Sequence, residues 1–330
     1  MSSLQLSEAK PRIAAAPRKK AKVTIVGAGA IGSTIAYSLA LERAGTDVVL
    51  YNRDGKKSWA KAFDISHCLP ELGSCAICSA GIEGSAGSDA IVLTVGALPK
   101  ENGSRADVLK ENVQIYRGLV PSLAALSPEA VLIVITNPVD AMAYAAFRLS
   151  GFPRERVIGS GTELDSMRMR SIAASALGLD SAALSIEIAG EHGDSMVPLW
   201  SRAEYGLRPL GDSGIELGEA DREELLRRTR RAAWEIRQAG EHSCYGIALA
   251  CSRILESVLD PSERTLMVSS LMRGEYGIEG AFMSLPTRLG GSGVLERLSS
   301  PLEETEATAL RASASVLRAQ MDEVDRLLAS

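Results

Sequence analysis

The sequence predicts an α/β protein in two parts: a doubly wound parallel sheet over residues 22–161, then an α+β domain over 162–330, preceded by a basic tail at 1–21. Three observations carry this reading. Short, continuously apolar runs alternate with helical stretches through the first half; a glycine-rich turn joins the first run to the first helix; and the pattern changes after Gly161. Continuous rather than alternating apolarity marks strands buried on both faces, the condition of a parallel sheet covered by helices. A length of 330 residues suits two packed domains of ordinary size.

The first buried run is Val23-Thr24-Ile25-Val26, followed by Gly27-Ala28-Gly29-Ala30-Ile31-Gly32 and a helical stretch to about Ala44. The second strand is Asp47-Val48-Val49-Leu50-Tyr51-Asn52, which completes a βαβ unit. Runs at 90–95 and 131–136 add two strands, with a helix near 105–126 between them. Gly159-Ser160-Gly161 is a small-residue hinge. Beyond it the sequence reads as a long helix, a hairpin-like region around 184–198, a charged helix over 218–239, and strands near 264–285, with His242, before Ser243, also read as lying in charged helix. An amphipathic helix from about 302 to 328 closes the chain, apolar at Leu310, Val316, Leu317, Val324 and Leu327.

Composition excludes several classes. At 46% hydrophobic and 23% charged residues the chain is neither disordered nor fibrous. Residues 1–22 carry six Lys and Arg against Glu8, so that segment has net charge +5 and the rest of a chain of net charge −5 has −10. A body that acidic cannot neutralise a phosphate backbone, so nucleic acid is not an expected partner. No stretch offers about 18 uninterrupted apolar residues, so neither a membrane span nor a secretory core is expected, and the reading is cytoplasmic. Five cysteines, an odd number at low density, fit a reducing compartment. Cys75 and Cys78 lie three apart on a predicted strand and so point to opposite faces, which argues against zinc; no metal is expected.

The glycine turn stands where a dinucleotide fold needs it, after a strand and at the opening of a helix. Gly27 permits the tight turn, Gly29 lets backbone approach a pyrophosphate, and Gly32 permits close packing, while Ala30 and Ile31 bring helix-terminal N–H groups to the phosphates. This is the Rossmann arrangement. An NAD site closes its second strand with Asp or Glu on the ribose 2′-hydroxyl, whereas this strand ends in Asn52-Arg53. Asn52 does not repel a 2′-phosphate, and Arg53 can pair with one, so NADP(H) is favoured. The alternative is NAD(H), with Asp54 or Asn52 on the ribose and Arg53 in water.

Three histidines exist. His67 reads as structural at a helix end, and His242 as a candidate pocket residue. His192 stands in Ala189-Gly190-Glu191-His192-Gly193-Asp194-Ser195, a polar, glycine-flanked turn after a buried strand, a setting that exposes an imidazole to a cleft. Together with the glycine turn, this segment, Ile135-Thr136-Asn137-Pro138-Val139-Asp140 and Gly159-Ser160-Gly161-Thr162-Glu163-Leu164-Asp165-Ser166-Met167-Arg168 resemble, in order and from about residue 22 to the C-terminus, the L-lactate and malate dehydrogenase family.

The resemblance implies an NAD(P)-dependent L-2-hydroxy acid dehydrogenase whose second domain is the α+β substrate domain of that family, assembled as a homodimer or homotetramer. It makes His192 the acid that protonates a ketone oxygen, Asp165 its orienting partner and Arg168 the clamp on a substrate carboxylate. It puts Arg105 on a mobile loop as a carbonyl-polarising group, Asn137 on the reacting oxygen, Gly96 beside the cofactor and Ile247 against the nicotinamide. Each residue alone admits a plainer reading: Asp165 and Arg168 as an i,i+3 surface pair, Thr162 with Asp165 as a capping box, Asn137-Pro138 as a turn.

Substrate choice in the family is read on the mobile loop, where this sequence has Pro99. Proline can pair with no second carboxylate, so a monocarboxylic 2-oxo acid is expected; the alternative, malate dehydrogenase activity, would need Lys100 to reach into the site. Glu241-His242-Ser243 depart from the family's usual residues on the opposite wall and make His242 and Ser243 candidate substrate contacts. A non-catalytic dinucleotide-binding protein on the same scaffold is the rival of another class.

Overall fold

Strand, turn and helix alternate as the apolar runs dictate. The computed structural model describes residues 20–42, 46–72, 75–97, 105–260 and 263–330. Most of the basic tail, the loop residues Leu98, Pro99 and Lys100, and the side chain of Arg105 lie outside what is described.

The first half runs β1 (Ala21–Val26), α1 (Ala30–Glu42), β2 (Thr46–Tyr51), α2 (Gly55–Ser66), the single turn α3 (Leu69–Leu72), β3 (Ala76–Ser79), β4 (Ala90–Leu93), α4 (Arg105–Leu126), β5 (Val131–Val134), α5 (Val139–Ser150) and β6 (Val157–Gly159). β4 and β5 are buried at every position, as strands covered on both faces must be. The second half has α6 (Glu163–Leu177), five two-residue strands β7 (Leu184–Ser185), β8 (Ile188–Ala189), β9 (Val197–Pro198), β10 (Glu204–Tyr205) and β11 (Arg208–Pro209), then α7 (Glu219–Gln238), α8 (Tyr245–Leu259), β12 (Arg264–Arg273), β13 (Glu279–Gly290), β14 (Gly293–Arg297) and α9 (Glu304–Ala329).

Among the described residues the main sheet has nine strands in the order β14, β13, β12, β6, β5, β4, β1, β2, β3. The six strands β3, β2, β1, β4, β5 and β6 are parallel, and β12 to β14 extend the sheet antiparallel through Ser269 opposite Gly159. Because β1 is flanked by β2 on one side and β4 on the other, the winding reverses there, and a crevice opens at the carboxyl ends of those strands. The glycine turn follows β1, Asn52 and Arg53 follow β2, Gly96 follows β4, Asn137 follows β5 and Asp165 follows β6.

Helices form where apolar residues recur every three or four positions. On α4, Leu109, Val113, Tyr116, Val120 and Leu123 are buried against the sheet. On α9 the buried stripe is Leu310, Ala314, Leu317, Met321 and Val324, so truncating Leu317 costs roughly 2–5 kcal/mol. Val316, expected on that stripe, is 44% exposed: it sits one residue, 100° of helical turn, away from Leu317. Cys75 is buried with its thiol on Thr46 O, whereas Cys78 is exposed.

Candidate active site

The glycine turn tests whether a dinucleotide fits. Gly27 has φ +113°, and a Cβ there would lie 2.5 Å from Thr94 Oγ1; one on Gly32 would lie 1.8 Å from Gly27 O. Both are glycines because the turn folds tightly onto the sheet. At Gly29 a Cβ would meet nothing within 4 Å, so the space before the α1 terminus is open to a pyrophosphate, whose charge the first helical N–H groups favour. Ala30 is exposed and Ile31 half-buried at that mouth. Gly96 lies at the end of β4, its Cα packed on Thr136 and Asn112, and Asn137 is exposed at the end of β5. Ile247 is buried in α8 among the core residues beneath Ile31.

At the ribose position Asn52 Oδ1 accepts the Asp54 N–H at 3.0 Å, and the Asp54 carboxylate accepts the Lys56 N–H at 3.1 Å. Asp54 is thereby the N-cap of α2, and Arg53 is exposed beside it. The carboxylate offered above as an alternative ribose acceptor is engaged in holding a helix end.

Four elements meet around His192. The turn between β8 and β9 is pinned at three successive residues. Gly190, at φ +86°, exchanges backbone hydrogen bonds with Ser284 of β13; Glu191 N–H donates to Ser313 Oγ of α9; and His192 N–H donates to Asp140 Oδ2 of α5, at 2.9 Å. Glu191 is itself buried and accepts from Ser195 and from Gln320 Nε2 of α9. The turn is held at each of these residues, and its imidazole remains 24% exposed.

Asp165, 1% exposed in the first turn of α6, divides its carboxylate: Oδ2 meets His192 Nδ1 at 2.5 Å and Oδ1 accepts from Arg168 Nη1 at 3.1 Å. The other arm of Arg168, Nη2, donates to Ser243 Oγ at 3.0 Å. Burial by itself would lower His192, but the charge and hydrogen bond of Asp165 prevail and hold the imidazole above its ordinary value. Burial would likewise raise Asp165, yet His192 and Arg168 bring it below the usual carboxylate range. The pair therefore holds an imidazolium and a carboxylate over a wide pH span.

Two of the plainer readings do not hold, and one expectation is corrected. Thr162 is the residue before α6 but makes no side-chain cap; its hydroxyl donates to Ile188 O, and Ser166 Oγ accepts the Ile188 N–H, so the two hydroxyls fix α6 against β8 and set Asp165 opposite His192. The i,i+3 pair Asp165–Arg168 is no surface pair, the arginine being only 13% exposed. His242 lies in the extended link between α7 and α8, exposed, rather than in a helix; Gly240, at φ +83°, has already ended α7.

Asn112, Asp140, Ser313 and Gln320 were given no role by the sequence reading. Asn112 is fully buried on α4, where its Oδ1 accepts the Ala97 N–H and its Nδ2 donates to Asn137 O, joining the ends of β4 and β5. A polar residue on an otherwise apolar helical face is the signal that finds Asn112 and Ser313. Among the described residues no group of three or more His, Cys, Asp and Glu is arranged to hold a metal, and no helix is long and apolar enough to cross a membrane.

A six-stranded parallel sheet with an open glycine turn, and a buried carboxylate serving both an imidazole and a guanidinium at the same edge, define a dinucleotide-dependent oxidoreductase of small oxygenated acids. The NAD binding domain of lactate/malate dehydrogenase matches residues 21–159, and the alpha/beta C-terminal domain of lactate/malate dehydrogenase matches residues 162–327. The chain belongs to the lactate/malate dehydrogenase family, the L-2-hydroxy acid dehydrogenases. It is 34% identical over 305 residues to an L-lactate dehydrogenase of Clostridium botulinum, covering 91% of this chain and 96% of that one. An L-lactate dehydrogenase of Synechococcus is 34% identical over 303 residues, 92% of this chain and 99% of that one. Among solved structures, a lactate dehydrogenase from a Medee basin deep-sea metagenome superposes with TM-score 0.87 at 32% identity, covering 93% of this chain and all of that one. A malate dehydrogenase from Picrophilus torridus superposes with TM-score 0.88 at 28% identity, covering 94% and 98%.

Proposed function

We propose that this enzyme is a cytoplasmic reductase of a monocarboxylic 2-oxo acid that prefers NADP(H) to NAD(H). The observation that carries the chemistry is the division of one buried carboxylate, Asp165, between His192 and Arg168. A proton donor and an anion clamp are thereby tied to the same carboxylate, as the adjacent oxygen and carboxylate of one small acid require.

Asp165 occupies Nδ1, which leaves Nε2 of His192 to meet the substrate. When bound, the nicotinamide group supplies a hydride equivalent to the substrate carbon. As that carbon is reduced its oxygen becomes basic, and His192 Nε2 gives it a proton; in the reverse direction neutral His192 takes the proton from the alcohol. Arg168, fixed by Asp165 and Ser243, binds the carboxylate and orients the carbonyl. Asn137, and Arg105 from the start of α4, complete the polar surround of the reacting oxygen. Gly27, Gly29, Ala30, Ile31 and Gly32 would hold the pyrophosphate, with Gly96 beside the cofactor and Ile247 against the nicotinamide.

Pro99 supports a monocarboxylic substrate because it offers no partner to a second carboxylate, and His242 and Ser243 form the opposite wall. The second reading, oxaloacetate reduction, is kept by the adjacent Lys100. NADP(H) is supported by Asn52 and by the engagement of Asp54 in capping, which leaves Arg53 to pair with a 2′-phosphate. We place the boundary between the dinucleotide-binding and substrate domains at residues 161 and 162. Homo-oligomerisation is supported by exposed Tyr37 and Leu41 of α1, Trp59 and Phe63 of α2 and Tyr245 and Leu249 of α8, on helices of which α1 touches both others. A reducing compartment is supported by the odd number and low density of the cysteines.

The deciding experiment assays pyruvate, 2-oxoisocaproate, phenylpyruvate and oxaloacetate with NADPH and with NADH. The reading expects a monocarboxylate with NADPH to give the highest kcat/KM; oxaloacetate ahead by tenfold would replace it with the malate reading.

A further inference from the structure

Asp140 is a buried acid beside His192 that the chemistry above does not use. It lies in the first turn of α5, 2% exposed, directly behind the catalytic turn. Its Oδ2 accepts the backbone N–H of His192 at 2.9 Å. Ser269 of β12 lies beside the carboxylate, yet neither Ser269 Oγ nor Asp140 Oδ1 makes a full hydrogen bond. A buried carboxylate oxygen without a partner is costly, and an amide or apolar residue would avoid the cost. The charge is kept where an imidazole lies next to it.

We propose that Asp140 is a positioning residue for His192, holding the backbone of the catalytic turn and presenting the imidazole with a second negative charge besides Asp165. The proposal rests on the reading of His192 as the proton donor. The charged groups facing the pair come from two neighbouring elements: Asp165 and Arg168 of α6, and Glu191 of the turn itself. β12 and α9 bring uncharged Ser269, Ser313 and Gln320. Among them Asp140 acts upward on His192, with Asp165 and against both burial and Arg168. Burial pushes Asp140 itself up to about 6, opposed by Ser269 and His192 and assisted by Glu191. At neutral pH it is therefore mainly ionised and favours imidazolium, the form that donates a proton.

Asp140→Asn separates the two roles, since its amide oxygen still accepts the His192 N–H while the charge is gone. With three histidines in the chain, ring carbon labelling and NMR titration follow each one, and the His192 signal is assigned by its loss in His192→Gln. The expected result is that His192 titrates about half a unit or more lower in Asp140→Asn than in the natural protein. The alkaline limb of 2-oxo acid reduction should move the same way, with kcat on the acid side of that limb kept within about threefold. Asp140→Ala, which also removes the acceptor, should lose about tenfold or more in kcat with the Kd for reduced cofactor unchanged. In the natural protein, without any substitution, the His192 resonance should show a second, smaller inflection near pH 6 as Asp140 takes up its proton.

An unmoved His192 titration in Asp140→Asn would overturn the proposal whatever happens to kcat, as would a single inflection in the natural protein should the variant not fold. A protein that reduces no 2-oxo acid but shows the shifted titration would overturn the proposed function and leave the coupling of Asp140 to His192 standing.

Discussion

Arg168 Nη2 reaches Ser243 Oγ at 3.0 Å, a contact between residues 75 apart in sequence, while its Nη1 is held by Asp165. The guanidinium is gripped from α6 and from the α7–α8 link at once, so its position does not depend on substrate being present. Ser243→Ala should leave one arm unheld. A hydrogen bond to a charged group contributes roughly 1.5–3 kcal/mol, so KM for the 2-oxo acid should rise about tenfold or more with a smaller change in kcat. Ser243→Thr, which keeps the hydroxyl, should restore most of the loss. Steady-state kinetics at saturating cofactor reads both.

His192→Gln removes the proton donor but not the cofactor cradle. Reduction should fall by about 100- to 10,000-fold in kcat, with binding of the reduced cofactor, followed by fluorescence titration, nearly unchanged. Turnover near the natural level would remove His192 from the chemistry.

The pH dependence has a definite sign. Because His192 is held above its ordinary value near 6.5, reduction, which needs imidazolium, should persist past neutrality and fail as pH rises through the raised value. Oxidation of the hydroxy acid, which needs the neutral ring, should rise over the same range. Asp165→Asn should shift both limbs to lower pH. Stability follows the same pair: the Asp165 contribution is present above the free carboxylate value near 4 and lost as pH falls through its depressed value, while that of His192 is present below about 6.5 and lost as pH rises. The stability lost in Asp165→Asn, read from denaturant midpoints, should be largest between about pH 4 and 6.5.

Arg53→Ala should weaken NADPH more than NADH, and Asn52→Asp should repel the 2′-phosphate and turn the preference toward NADH by about tenfold or more. Ratios of kcat/KM for the two cofactors decide it. Equal losses in Arg53→Ala would remove the phosphate contact.

Trp59 and Phe63 stack with ring centroids 5.1 Å apart on an exposed face of α2. If that face joins subunits, Trp59→Glu together with Phe63→Glu should yield monomers by light scattering, with the far-ultraviolet dichroism of the natural protein retained.

The nucleotide half is legible in the sequence because each of its signals is local: apolar run, glycine turn and helix are neighbours along the chain. α4 begins and ends where the periodicity places it, at 105 and 126. His192 and Asp165, which the structure brings together, are legible through their motifs. Their supports are not, since Asp140 to His192, Ser313 to Glu191 and Asn112 to Asn137 are contacts between distant segments, whose meeting depends on how the sheet is wound. His242 is misplaced for a different reason: Gly240 ends α7, but Glu241 and His242 beyond it continue its polar composition. Ser166, which ties α6 to β8, carries no local sign at all.

Ser313 and Gln320, which fasten the turn carrying His192, belong to the final helix. The same helix packs its apolar stripe on α4 and α5 of the first half. The turn bearing the imidazole is therefore fixed only when the C-terminal end of the chain has docked, so a change at the last helix reaches residue 192 although more than a hundred residues separate them.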